Sequence, residues 1–392
     1  MRERVGRNVW LALAAAFIGV FAFRLSVPVV AFYTRMVLEA SAISMGALMA
    51  VFFAARTPAS ILAGKVYRGG LSVALASLCL GLAGVVTLLY ALAGSVGFVL
   101  ILRLLQGLLM GFAWTVVQIV LGASVPRRVR GTVYAVYFAS GVVAFSAANA
   151  VYALMAQCQP IVVLGVSFIG FLACSLLVAG MEAPVLGGRG GGGGRGRAAR
   201  IALGVIVAVS VFVFFTRLCT AFVVSDVTYV YLKEVYGLSR ASVAELFAAA
   251  SAIEIPVSIA LSLFADRVSD RVAVLLIGLL TSAGLVAFAS PNFLVSCCGL
   301  FLLVAGSWSL TPLSRKLALT YKQAEGIGYV SAVRSVGIML SSLAAGVVYQ
   351  LFEEGGVSLL TLTLPAAGTV LASSLLLVYM LGRSVDAVAV NQ

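Results

Sequence analysis

Residues 97–122 read GFVLILRLLQGLLMGFAWTVVQIVLG, a run whose only formal charge is Arg103. About 20 consecutive apolar residues in a helix cross the hydrocarbon layer of a bilayer, so this run is long enough to span it. It lacks the period-2 alternation of a barrel strand. Eleven more stretches of the same kind surround it, giving spans at 9–35, 43–66, 71–93, 97–122, 131–156, 160–181, 201–225, 241–265, 271–290, 293–316, 327–352 and 357–381. Glycine and proline inside them are compatible with membrane helices. Hydrophobic residues make up 62% of the chain and charged residues 10%, too few charges to cover a water-soluble surface. The expected fold is an all-α membrane protein of twelve transmembrane helices in two pseudo-symmetric six-helix bundles. Residues 1–182 form the first bundle, 183–200 a Gly/Arg-rich cytoplasmic linker, and 201–392 the second bundle.

Basic residues set the expected orientation. Eighteen of the 26 lie at the N-terminus, the C-terminal tail or the loops on that side, and three (Arg35, Lys233, Arg240) lie opposite. The positive-inside rule then places both termini in the cytoplasm. The net charge of +13 is mostly this topology signal and gives no reason to invoke nucleic acid. The first apolar stretch is too long for a cleavable signal peptide and carries Arg24 in its middle. The chain has no histidine, which removes histidine-based acid–base chemistry and histidine metal sites. The six cysteines have neither a metal spacing nor a disulfide pattern and read as small apolar packing residues. No cofactor or metal is expected, and an enzyme is not.

The halves echo each other. Arg24-Leu25 in span 1 matches Arg217-Leu218 in span 7, and Pro58-Ala-Ser60-Ile61 in span 2 matches Pro256-Val-Ser258-Ile259 in span 8. Trp114 matches Trp308, and Gly131 with Tyr134 matches Gly326 with Tyr329. The near-constant offsets point to a duplicated six-helix unit. The linker Gly187–Arg200, with eight glycines and four arginines, cannot pack a core and reads as a tether; contact with anionic lipid is the alternative.

Several segments resemble the major facilitator superfamily. Arg103-Leu-Leu-Gln106-Gly107 and the following residues to Gly111 are similar to its helix 4 motif. Ser262-Leu-Phe-Ala-Asp266-Arg267-Val-Ser-Asp270-Arg271 is similar to its loop motif, with Ser262 where glycine is usual. The equivalent Gly64-Lys-Val-Tyr-Arg68-Gly69-Gly70 departs from it, because Arg68 stands where the aspartate would be. Arg130-Gly131 at the start of span 5 is also family-like. The resemblance implies two bundles rocking about a central site, and gating roles for Gly64, Arg68, Asp266, Arg267 and Arg271. Span 5 around Gly141–Asn149 lacks the Gly-Pro pair of the superfamily's drug–proton antiporters.

Ionisable residues deep in a span cost about 2.5–3.5 kcal/mol each on insertion scales and mark function by default. Arg24 lies roughly 21 Å along its helix at 1.5 Å per residue, and Arg217 is similarly deep. Arg56 and Glu254 each stand two residues before the paired prolines. In the resembling fold these four spans border the cavity, and organophosphate–phosphate exchangers of the superfamily use a similar arginine pair. The guanidinium fork suits carboxylate or phosphate, so Arg24, Arg217 and Arg56 are candidate substrate-binding residues. The other reading is that each neutralises an acid or caps carbonyls. Glu254 is a candidate proton carrier or a structural ion-pair partner, with Arg56 one option. Asp226 is a second coupling candidate that also reads as interfacial. Glu245 reads as part of a capping box with Ser242, Gly107 and Gly111 as a close-packing pair, and Tyr229, Tyr231 and Tyr236 as an interfacial aromatic belt. Arg334 lies about two turns into its span, within snorkelling reach.

The leading expectation is a secondary transporter, symport or antiport, moving a small, anionic solute across the cell membrane as a multi-pass monomer. The alternatives are a proton-coupled drug or solute efflux antiporter and a sensor that has kept a transporter fold. Gly190–Gly194 lacks the Gly-Lys-Ser/Thr ending of a nucleotide-binding loop, which leaves direct ATP drive unsupported. The expected partners are the small-molecule solute and the lipid bilayer.

Overall fold

A computed structural model of the chain describes residues 2–126, 130–182, 197–220, 226–355 and 359–389, and every secondary-structure element in them is helical. The helices are α1 Arg2–Met36, α2 Ala42–Lys65, α3 Gly70–Leu89, α4 Val96–Ser124, α5 Arg130–Met155, α6 Pro160–Ala179, α7 Arg197–Cys219, α8 Asp226–Tyr236, α9 Arg240–Arg267, α10 Asp270–Phe288, α11 Phe293–Glu353 and α12 Leu359–Ala389. Among the described residues, eleven segments are long and apolar enough to cross a membrane, α11 contributing both Phe293–Ala318 and Tyr329–Glu353. The shorter apolar helix Leu203–Cys219 brings the series to twelve. Leucines at 71, 75, 78 and 82 form an exposed stripe along α3. Such a stripe suits lipid contact.

Three local expectations change. The turn expected at 317–326 is helical, because Leu317–Glu325 contains neither glycine nor proline and continues the ladder. In span 7 the helix α7 ends at Cys219, residues 221–225 lie outside the described residues, and α8 begins at Asp226, just past the expected span. The cap of α9 is Ser239 rather than Ser242. The Ser242 amide donates to Ser239 Oγ at 3.0 Å, because the helix begins three residues earlier than the Ser242–Glu245 box implies.

Two compact units emerge. The first comprises Met1–Leu186, Val224–Ala252 and Ile338–Glu354; the second comprises Gly187–Val223, Ile253–Gly337 and Gly355–Gln392. In the first, α2 lies along α4 and α1 packs on α5 and α6. The α2–α4 approach depends on missing side chains. A Cβ on Gly107 would meet the Phe52 carbonyl oxygen at 2.2 Å, and one on Gly111 the Arg56 carbonyl oxygen at 2.6 Å. Ser60 Oγ donates to the Gly111 carbonyl at 3.1 Å. The Gly107/Gly111 pair is therefore a packing device. Where α2 starts, Gly46 meets α11 the same way: a Cβ there would lie 2.4 Å from the Ser342 carbonyl oxygen.

In the second unit, α12 packs on α7 and α10. Gly278 leaves room for Ser374, whose Oγ would lie 2.4 Å from an added Cβ. Lys316 on α11 donates to Asp270 Oδ1 at 2.8 Å and to the Ala265 carbonyl at 3.3 Å, tying the α9–α10 turn to α11.

Candidate substrate site

In the first unit, α1 and α2 carry Arg24 and Arg56, both half-buried. The Arg24 guanidinium carbon lies 4.4 Å from the Phe145 ring centroid and 5.8 Å from that of Phe23. Arg56 lies 5.6 Å from Phe53 and 6.0 Å from Phe52. Phe23 stacks on Phe52 at 5.2 Å, so one aromatic wall serves both cations through their ring quadrupoles. Arg24 also acts electrostatically on Arg56. Two like charges held together inside an apolar wall favour a bound anion. Arg56 makes no ion pair among the described residues.

Behind this wall, α4 supplies Arg103, fully buried. Its Nη2 faces Asp226 Oδ1 and Oδ2 at 3.4 and 3.5 Å, and its Nη1 donates to Gln106 Oε1 at 3.3 Å. Gln106 is held in turn by Tyr90 OH at 3.2 Å and by Thr87 Oγ1 at 3.0 Å. Asp226 is fully buried rather than interfacial. As the first residue of α8, which packs on α1 and α2, it points inward. Arg24 also reaches it electrostatically. Tyr229 and Tyr231 are 3% exposed, so they are interior rather than a belt. Tyr229 stacks on Phe247 at 4.5 Å and donates to Asn149 Oδ1 at 2.9 Å.

The second unit holds Arg217 and Glu254, 2% and 1% exposed. Arg217 Nη2 donates to Thr311 Oγ1 at 2.9 Å, and its guanidinium lies 5.8 Å from the Trp308 ring. Its Nε and Nη1 are buried with no hydrogen-bond acceptor among the described residues. Glu254 acts on it electrostatically. A Cβ on Gly337 would meet Arg217 Cβ at 3.0 Å and the Phe214 carbonyl at 3.0 Å, so glycine there lets α11 close on α7. A buried donor without an acceptor costs about 1–3 kcal/mol, more when charged. Arg217 therefore carries the chemistry of an oxyanion receptor.

The loop residues are dispersed. Gly64 and Arg267 are exposed. The Arg68 amide donates to Ser72 Oγ at 2.7 Å, beside Gly69 at φ 58. Arg271 donates to the Leu381 and Gly382 carbonyls at 3.4 and 3.3 Å, tying the start of α10 to α12. The Asp266 side chain, Arg127, Arg128 and most of the 187–200 linker lie outside the described residues.

Sequence reasoning missed one polar cluster in the first unit, beyond the end of α1. Arg35 donates to Glu234 Oε1 and Oε2 at 3.0 and 3.2 Å and also contacts Glu353. Tyr349 donates to the same Glu234. Separations of 199 and 318 residues leave no local signal for it.

The profile of the Major Facilitator Superfamily matches residues 9–345. By sequence, no curated protein matches the chain. By fold, it is similar to a bacterial homolog of the human lysosomal transporter Spinster in an inward-facing, occupied conformation. The TM-score is 0.69 at 15% identity, covering 97% of this chain and 96% of that one. It is also similar to the human organic anion transporter MFSD10, with TM-score 0.70 at 14% identity and coverage of 95% and 99%. The nucleoside transporter NupG gives TM-score 0.68 at 13% identity, with coverage of 95% and 99%. With its helices long and apolar enough to span a bilayer and the profile match running over most of its length, this chain belongs to the Major Facilitator Superfamily of membrane transporters.

Proposed function

We propose that the protein is a secondary transporter that moves a small anionic solute across the cell membrane by alternating access. Bundles 1–182 and 201–392 would rock about the site as a monomer. Arg24, Arg56 and Arg217 would bind the anion. The observation that carries this is Arg217: fully buried, held by Thr311, with two guanidinium nitrogens lacking an acceptor among the described residues. The organic anion transporter among the structural relatives is compatible with this reading. Uptake of radiolabelled anions and neutral solutes into vesicles holding the purified chain tests it. Accumulation of neutral solutes alone would reject it.

The 18-to-3 distribution of basic residues supports cytoplasmic termini. A cysteine at Gly193, placed in a background lacking the native cysteines, should react with impermeant maleimide only after the cytoplasmic face is opened. Labelling from outside intact cells would reverse the topology.

Glu254 is the coupling candidate with a physical route. It acts on Arg217, and an anion arriving at that guanidinium competes with it. A carboxylate losing a cationic neighbour gains proton affinity. Glu254→Gln is expected to abolish pH-driven accumulation while solute exchange continues. Unchanged accumulation in a pH gradient would leave Glu254 as a charge balance and make the protein an anion exchanger.

A further inference from the structure

We propose that Arg35, Glu234, Glu353 and Tyr349 form a reversible latch that fastens the outer ends of α8 and α11 to α1, and that it parts before the deeper Arg103–Asp226 pair when the site opens toward that face. This rests on the alternating-access reading and deepens it. All of these residues lie in the first compact unit. In the proposed rocking, however, Arg35 and Arg103 travel with residues 1–182, while the three acids and Tyr349 travel with residues 201–392. Whatever joins them must release each time that end opens. The proposed topology makes this the outer end, since α1 begins near the N-terminus and Arg35 stands in its last turn.

The Arg35 guanidinium serves two acids at once. Its Nη1 donates to the Ala40 carbonyl at 2.8 Å, which fixes the fork beside the end of its own helix. Nε and Nη2 then meet Glu234 at 3.0 and 3.2 Å, and Nη2 also meets Glu353. Tyr349 donates to Glu234, so α8 and α11 are bonded to each other as well as to Arg35. When Arg35 withdraws, that bond remains, and α8 and α11 leave α1 as a pair.

Depth and solvation set the order of release. Asp226, Val230 and Glu234 are spaced four apart, so they share one face of α8. That face carries two acids about 12 Å apart along the helix, each matched by an arginine from residues 1–182. Asp226 meets Arg103 at 3.4 Å, and Glu234 meets Arg35 at 3.0 Å. The deep pair is shut off from solvent, whereas the side chains of Arg35, Glu234 and Glu353 are 19%, 30% and 31% exposed. Parting a buried pair strands charge in a medium of low dielectric, but ions already in touch with water exchange one another for it at little cost. Beside the latch, α2 and α11 meet through glycines. A Cβ on Gly46 would lie 2.4 Å from the Ser342 carbonyl oxygen, and one on Gly346 2.7 Å from that of Ala42. A contact between bare glycine backbones has no side-chain bond to break, so the Arg35 cluster supplies the electrostatic hold at this end.

The test uses the full chain in intact cells, with the native cysteines replaced and Val230→Cys as reporter. Val230 is 1% exposed and sits one turn beneath Glu234. The rate of its modification by a membrane-impermeant maleimide is compared between this parent and further variants. Arg35→Gln should react about fivefold faster, the loss of two partly exposed ion pairs. Arg35→Glu should react at least about tenfold faster, because three carboxylates then crowd one place. Adding Glu234→Arg to Arg35→Glu should restore the slow rate, since the pair re-forms with its charges exchanged. Tyr349→Phe leaves Arg35 and both acids in place and should stay within about twofold of the parent. Parent rates in both single Arg35 variants overturn the latch. So does acceleration that the charge exchange fails to reverse, or Tyr349→Phe reacting as fast as Arg35→Gln, since either means a general loosening of α8. The expected labelling pattern in a chain that accumulates no solute in vesicles keeps the latch and removes the transport reading, so the two fail separately.

Discussion

Replacing Arg217 with lysine is expected to cut solute uptake by about 100-fold, the loss of roughly two charge-assisted hydrogen bonds, while the protein stays folded. Lysine keeps the positive charge, so the electrostatic balance with Glu254 survives. It loses the planar fork. Among the described residues only Nη2 of the three guanidinium nitrogens has a partner, Thr311, so structure alone uses a small part of what arginine offers. An ammonium can still reach Thr311 but cannot present two parallel donors to an oxyanion. Uptake into vesicles gives the transport loss, and the melting temperature in detergent separates it from misfolding. Uptake within twofold of wild type would mean that Arg217 is held for structure and that the anion is bound elsewhere. Arg24→Lys should act in the same direction with a smaller effect, because Arg24 already rests on Phe145 at 4.4 Å.

The two arginines differ in how far the sequence revealed them. Their identity and depth were legible, since a charge in a 20-residue apolar run is a local feature. So were the helices, the Gly107/Gly111 packing pair and the family motifs, all of which lie within one or two turns. The pairings were not legible. Arg103 and Asp226 are separated by 123 residues, and an acid at the start of a helix looks interfacial until the helix is seen to pack on α1 and α2. Glu254 reads from the sequence as a proton carrier or an ion-pair partner, and its electrostatic action on Arg217 carried no local signal. The tyrosines of α8 looked like interface anchors because amphipathic rings suit that position. They are interior because Phe247, Phe32 and Asn149 surround Tyr229.

Asp226→Ala is expected to destabilise the protein by about 3–5 kcal/mol, since it strands a fully buried guanidinium. Arg103 and Asp226 are both inaccessible to solvent, and Arg103 Nε already lacks an acceptor. With the carboxylate gone, only Gln106 Oε1 at 3.3 Å would remain as an acceptor among the described residues. A neutral pair should fare better: Arg103→Met with Asp226→Leu removes both desolvation costs and should recover at least half of the loss. The double-mutant cycle, followed by thermal unfolding in detergent, measures the coupling directly. Asp226 is also a coupling candidate, lying within electrostatic reach of Arg24, and the two roles predict different results for Asp226→Asn. A structural counter-ion replaced by a neutral amide leaves Arg103 without compensation, so Asp226→Asn should melt well below wild type. A proton-cycling group tolerates the neutral form, because it visits that form in each transport cycle. Asp226→Asn with wild-type stability but no pH-driven accumulation would assign the proton to Asp226 and remove it from the structural account. A loss of stability that Arg103→Met relieves would assign Asp226 to the helix 4 ion pair and leave Glu254 as the carboxylate that responds to solute.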